Sequence, residues 1–195
     1  GGLLYIGRAT DGWGNPWHSA SPKESVSMAL RHAQAFSDPD CIQTIMKKSE
    51  RKSSPFWRLA RDLTNRWAFH GKCSPAWHDS IAWSNLYKIA PTNGGNPTKF
   101  MYYPQYPWIT RLIHEEIAQL KPGLVVFATG YEWAAPVVQG NSLTLTGERH
   151  VEAHWKINGS LALVIPHPQG IGMREKGAHA KILKAIEAYT KKAGQ

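Results

Sequence analysis

The chain alternates between short unbroken apolar runs and longer stretches in which apolar residues recur every three or four positions. Runs at 3–6, 124–128 and 161–166 have the continuous apolar character of strands buried on both faces. A fourth candidate, 81–89, is less continuous. Four helical patterns fall between and after them. Ser21-Pro22-Lys23-Glu24 reads as a capping box with Pro at the first helical position, followed by Val26, Ala29, Leu30, Ala33 and Phe36 on one face. Ser54-Pro55 starts a second helix, in which Phe56, Leu59, Ala60, Leu63 and Trp67 form the apolar stripe. Ile109, Leu112, Ile113, Ile117 and Leu120 mark a third, stopped by Lys121-Pro122-Gly123. Ile182, Leu183, Ile186 and Tyr189 mark a fourth. Strands alternating with helices predict a mostly parallel sheet covered on both faces.

Two segments depart from that scheme. Over 150–157, Val151, Ala153, Trp155 and Ile157 alternate with His150, Glu152, His154 and Lys156, which predicts an edge strand or hairpin arm, preceded by a turn-rich stretch at 141–147. The stretch 91–107 is rich in Pro, Gly and Tyr and reads as a binding loop rather than a connector; its Tyr102, Tyr103 and Tyr106 would line a cleft or cover the sheet edge. Trp67 and Trp155 sit on apolar stripes and are read as core.

A chain of 195 residues, 42% hydrophobic, suits one domain over 1–195 with its own core. The net charge of +9 favours a polyanionic partner over a small neutral metabolite. Lys47, Lys48, Arg51, Lys52, Arg58, Arg61 and Arg66 form one basic band, and Arg174, Lys176, Lys181 and Lys184 another. Two cysteines, Cys41 and Cys73, exclude a disulfide framework and an all-cysteine zinc or iron–sulfur site. His150-x-Glu152-x-His154 and His70-x-x-Cys73 lack the further ligands a metal needs, so no metal is expected. No apolar run approaches the ~20 residues that span a bilayer, and no signal peptide is visible. A cytoplasmic, monomeric protein without a membrane partner is the expectation.

In an open parallel sheet, ligands bind beyond the carboxyl ends of the strands. The segments there are Gly7-Arg8-Ala9-Thr10-Asp11, Ser84-Asn85-Leu86-Tyr87-Lys88, Thr129-Gly130-Tyr131 and His167-Pro168-Gln169-Gly170. They offer a carboxylate, Asp11, and an imidazole, His167, a pair suited to general-base and electrophilic work.

The order of these motifs resembles the uracil-DNA glycosylase superfamily. Leu4-Tyr5-Ile6-Gly7 is similar to its first strand and glycine. Pro55-Phe56-Trp57-Arg58 resembles the helix start of its mismatch-specific and single-strand-selective branches. Asn85-Leu86-Tyr87-Lys88 with Pro91, Val125-Val126-Phe127-Ala128-Thr129-Gly130, and Val164-Ile165-Pro166-His167-Pro168 resemble its later signatures in the right order.

The resemblance implies a three-layer α/β/α sandwich with a four-stranded parallel sheet. It also implies a monofunctional enzyme that flips a base out of DNA and hydrolyses its N-glycosidic bond without a cofactor. In that frame Asp11 orients water and His167 stabilises the leaving base. Asn85 reads the base edge, Trp13 or Trp17 stacks on it, and Gly7 and Arg8 line the pocket. Ile171 and Met173 fill the vacated space in the duplex, while Arg174, Lys176 and Lys88 contact DNA. Two departures stand out. Arg8 and Ala9 occupy the positions where the family carries Asp, Glu or Asn, and Gln169 replaces its Ser. Both altered loops bracket the base. The candidate substrates are therefore a hydroxymethylated or glucosylated cytosine of phage DNA, or uracil. The rival readings are a catalytically silent nucleic-acid-binding module of the same fold and a small-molecule nucleoside hydrolase.

Overall fold

A computed structural model describes residues 2–9, 39–50, 54–91, 94–138, 143–170 and 177–193. The helix expected from Ser21 lies outside them, as do Asp11, Trp13, Trp17, Ile171, Met173, Arg174 and Lys176.

Strand β1, Leu3–Ala9, runs through the middle of the molecule. Leu3, Leu4, Tyr5 and Ile6 are all buried, and the pleat sends alternate side chains to opposite faces. Leu3 and Tyr5 join one core, with Leu124, Val126, Leu161 and Leu163. Leu4 and Ile6 join the other, with Val125, Phe127, Ala162 and Val164. The first core is closed by helices α1 (Pro39–Glu50), α2 (Pro55–Ala68) and α6 (Ala178–Ala193). The second is closed by α4 (Tyr106–Leu120) and α5 (Tyr131–Val138). The continuous apolar runs thus reflect strands with no solvent face.

The sheet has six strands in the order β2-β1-β3-β6-β5-β4. β2 (Ile81–Tyr87), β1, β3 (Leu124–Phe127) and β6 (Ser160–Val164) pair in parallel. β5 (Ala153–Ile157) and β4 (Thr144–Leu145) extend the sheet antiparallel. The expected four-stranded sheet is therefore corrected to six. The two extra strands arise from Asn158-Gly159, which has positive φ at both residues (48° and 82°) and folds β5 back on β6 as a two-residue hairpin. The 150–157 segment is the hairpin arm, and β4, within the turn-rich 141–147 stretch, takes the edge outside it.

Ser54 caps α2 by accepting the Trp57 N–H at 3.4 Å, with Pro55 in the first turn. α4 ends at Lys121, which adopts the left-handed conformation (φ 46°). Its core stripe is narrower than the sequence suggests. Ile109, Ile113 and Ile117 are buried, whereas Leu112 and Leu120 are exposed. The 91–107 stretch contains a helical turn, α3 (Lys99–Tyr102), a 3-10 turn (Tyr103–Gln105) and the start of α4, rather than a continuous loop. Gln105 pins it by accepting the Ile89 N–H at 3.0 Å and donating to Ile89 O at 3.1 Å and Met101 O at 2.8 Å. No helix among the described residues is long and apolar enough to cross a membrane.

From β1 the chain crosses to β2 on one side, then to β3 on the other, so the ends of β1 and β3 border a topological switch point. Gly7, Arg8, Ala128 and Thr129 stand there.

Leu4→Ala deletes a side chain with 0% exposure from the central strand and is expected to lower stability by ~2–5 kcal/mol. Leu112→Ala, at a side chain 44% exposed, should stay within ~0.5 kcal/mol. Urea unfolding of both variants checks the placement of the core.

Candidate functional site

The strand pairing aligns Gly7 of β1 with Asn85 of β2, and period-two alternation sends both toward the face where α2 packs. A Cβ on Gly7 would lie 2.5 Å from Asn85 Oδ1 and 3.2 Å from Phe56 Cζ. Glycine is thus required for close approach, and it lets a carboxamide and an aromatic ring meet over the end of β1. Phe56 enters from the first turn of α2. Its ring also stacks near His167, centroids 6.3 Å apart at an interplanar angle of 25°. Tyr5 supports Phe56 from below at 4.8 Å between centroids.

Asn85 is only 6% exposed, and its carboxamide makes no hydrogen bond among the described residues. Its amide atoms retain contact with solvent, so a ligand with matching donors and acceptors can pair with them. His167 follows β6. Burial, reinforced by the positive charge of Arg8, pushes its pKa down to about 4 from the ordinary 6.5. At neutral pH the ring is therefore uncharged. Its Nδ1 accepts the Gln169 N–H at 3.3 Å, which leaves the ring proton on Nε2 as a donor.

Arg8 points away from Gly7, toward the second core. Its Nε donates to Thr129 O at 2.6 Å, across the β1/β3 crevice. Its guanidinium lies 5.0 Å from the centroid of the Trp133 ring. Burial weakens its hold on its proton, and the carboxylates of Glu152 and Glu132 act in the opposite sense. Glu152 accepts the Tyr131 N–H at 2.6 Å and so caps α5. Burial raises the Glu152 pKa, while the Tyr131 N–H and Arg8 counter part of that rise.

Among the residues singled out from sequence, the fold thus gathers Gly7, Asn85 and His167 around Phe56, and sets Arg8 beside His167. Lys88 is engaged elsewhere, with Glu116 at 2.6 Å and Ser84 Oγ at 2.6 Å. Within the basic band, Arg61 pairs with Asp62 at 2.8 Å and Arg66 with Glu187. His154 packs at a tilt against Tyr189, centroids 4.9 Å apart, while Glu152 turns to Tyr131, so the His-x-Glu-x-His triplet does not converge. No group of three His, Cys, Asp or Glu that could hold a metal occurs among the described residues.

Two participants enter the sequence reading in other roles: Phe56 as core and part of the helix-start motif, and Glu152 as part of the His-x-Glu-x-His triplet. Glu152 reaches the cleft because β5 runs antiparallel, which brings its leading end to the carboxyl ends of the parallel strands. The Asn158-Gly159 hairpin signal would have revealed that. Nothing in the sequence marked Trp133. Two open grooves, of about 460 and 360 Å³, lie elsewhere, along α4 and between α2 and α6. Neither includes a residue of this cluster.

No protein-family model matches the chain, and no curated protein matches it.

Gly7→Ala should force Asn85 and Phe56 apart and cost ~1–3 kcal/mol of stability, measurable by urea unfolding. His167 also makes a signed contribution to pH dependence. Between pH 6.5 and about 4 the unfolded chain binds a proton that the folded chain refuses. The stability that His167 contributes is therefore lost as pH falls through that window. Unfolding free energies measured across it should fall more steeply in the wild type than in His167→Gln.

Proposed function

We propose that the chain is a monofunctional DNA glycosylase of the uracil-DNA glycosylase type, acting as a cytoplasmic monomer on DNA. In this reading the four parallel strands are that family's sheet, and the antiparallel hairpin is an addition to it. The observation that carries the reading is the meeting of Gly7, Phe56, Asn85 and His167 at the strand ends. It combines an aromatic face, an amide with unused hydrogen-bonding capacity and a neutral imidazole with an N–H donor. A flipped base needs these three things: a surface to stack on, a group to read its edge and a donor for the charge it gains.

In the reaction the C1′–N bond breaks, and its electron pair leaves with the base. His167 Nε2–H hydrogen-bonds a base oxygen as negative charge builds there. A neutral donor suits this step because its proton stays on nitrogen until the base accumulates charge. Water adds to C1′ and releases its proton, leaving an abasic site. Asp11 is assigned to orienting that water. Trp13 or Trp17 adds a second stacking face, Ile171 and Met173 fill the duplex gap, and Arg174 and Lys176 hold phosphates. Lys88 does not serve as a Schiff-base nucleophile in this scheme, since its ammonium is ion-paired with Glu116. The charge of +9 favours the polyanionic substrate. The altered loops favour a modified pyrimidine, hydroxymethylated or glucosylated cytosine, with uracil as the simpler case.

One observation favours a second reading. Arg8 and Ala9 stand where a carboxylate would be expected, as in a fold that retains binding and has lost hydrolysis.

DNAs carrying uracil, hydroxymethylcytosine or glucosylated hydroxymethylcytosine are incubated with the protein and then treated with hot alkali to cut abasic sites. Cutting at one base is expected, with His167→Ala slower by about 10²–10³-fold. Salt-sensitive binding without cutting at any base would favour the silent module.

A further inference from the structure

Arg8 is held in place by two neighbours, Thr129 and Trp133, and its outer nitrogens make no hydrogen bond to a described residue. The Nε–Thr129 O bond of 2.6 Å ties the guanidinium across the β1/β3 crevice. The Trp133 ring lies 5.0 Å away. Tyr87 packs edge-on against Trp133 at 5.5 Å between centroids, so the ring beneath the cation is itself braced. A Cβ on Gly130 would lie 3.5 Å from Arg8 Nη2 and 3.9 Å from Glu152 Oε2, so the absence of a side chain there leaves room beside both groups. Neither Nη hydrogen-bonds a described residue, and no ion pair closes onto the guanidinium among them. Two carboxylates, Glu152 and Glu132, lie in its field without pairing with it, and Glu152 is already engaged with the Tyr131 N–H.

A half-buried guanidinium with unused donors attracts an anion, and its planar fork suits two adjacent acceptor atoms. We propose that Arg8 is the group in this cleft that binds the released base in its anionic form, with Thr129 O and the Trp133 ring positioning the guanidinium. The proposal rests on the glycosylase reading and adds to it a binding group that acts on the product. It gives a function to the cation that replaces the expected carboxylate. The position next to the first glycine would then stabilise the leaving group rather than the water. The glycosylase reading, in which the base is what leaves the cleft, selects an ionised heterocycle over a backbone phosphate.

Calorimetric titration of the full chain at neutral pH tests this with three probes. They are 5-nitrouracil, whose ring nitrogen is ionised at that pH, uracil, which is neutral, and inorganic phosphate. The wild type is expected to bind 5-nitrouracil at least tenfold more tightly than uracil. Arg8→Gln should erase that ratio by weakening 5-nitrouracil binding at least tenfold. Equal affinities for the two bases in the wild type overturn the proposal without recourse to any variant. So does a preference that survives Arg8→Gln. Arg8-dependent binding of phosphate that displaces 5-nitrouracil also overturns it, by identifying the anion as a phosphate. The glycosylase reading is judged separately. A protein that prefers the ionised base but cuts no DNA keeps the Arg8 assignment and loses the reaction. A protein that cuts DNA without the preference keeps the reaction and loses Arg8.

Discussion

Because Leu3, Leu4, Tyr5 and Ile6 meet no water on either side of the sheet, β1 is stable only between two helical layers, and everything at its carboxyl end inherits that geometry. The pleat divides its residues between the two cores, and the same alternation continues past the last apolar side chain. Gly7 therefore falls on the side of α2, with Phe56 and Asn85, and Arg8 on the side of α5, with Trp133. One strand thus supplies both halves of the cleft. A shift of one residue in its pairing would exchange them, putting a cation against Phe56 and an empty position against Trp133.

The two halves differ in their electrostatics. The Phe56 side holds neutral groups: a carboxamide and an imidazole kept uncharged by burial and by Arg8. The Arg8 side holds formal charges, a guanidinium with two carboxylates in its field. Their closeness matters because the charge of one side sets the protonation state of the other. Bringing a second positive charge onto His167 would place it beside Arg8 in a poorly solvated site, and the protein avoids that by leaving the ring neutral.

Much of this was legible in the sequence where period and sequence-local geometry decide. The four parallel strands, the Ser54-Pro55 helix start and the Lys121-Pro122-Gly123 stop follow from apolar periodicity and capping chemistry. So does the position of Asn85 and His167 at strand ends. What was not legible depended on pairing between distant segments. Glu152 comes to the cleft through the direction of β5, which the alternating pattern leaves undecided and the Asn158-Gly159 turn determines. Helix α5 lacks a capping side chain of its own, carries Pro136 within it and is completed by a residue 21 positions later. Leu112 obeys the helical period but faces solvent, because a pattern of three to four residues cannot say how wide the covered stripe is.

The Glu152–Tyr131 contact links elements that the chain keeps apart. The Tyr131 amide is shielded only while the β5–β6 hairpin and the start of α5 stay together. Its exchange with solvent deuterium requires that contact to open, and the same event moves the carboxylate within the field of Arg8. Opening of this one contact and the charge balance of the cleft are therefore linked, and hydrogen exchange at one backbone position reports on both.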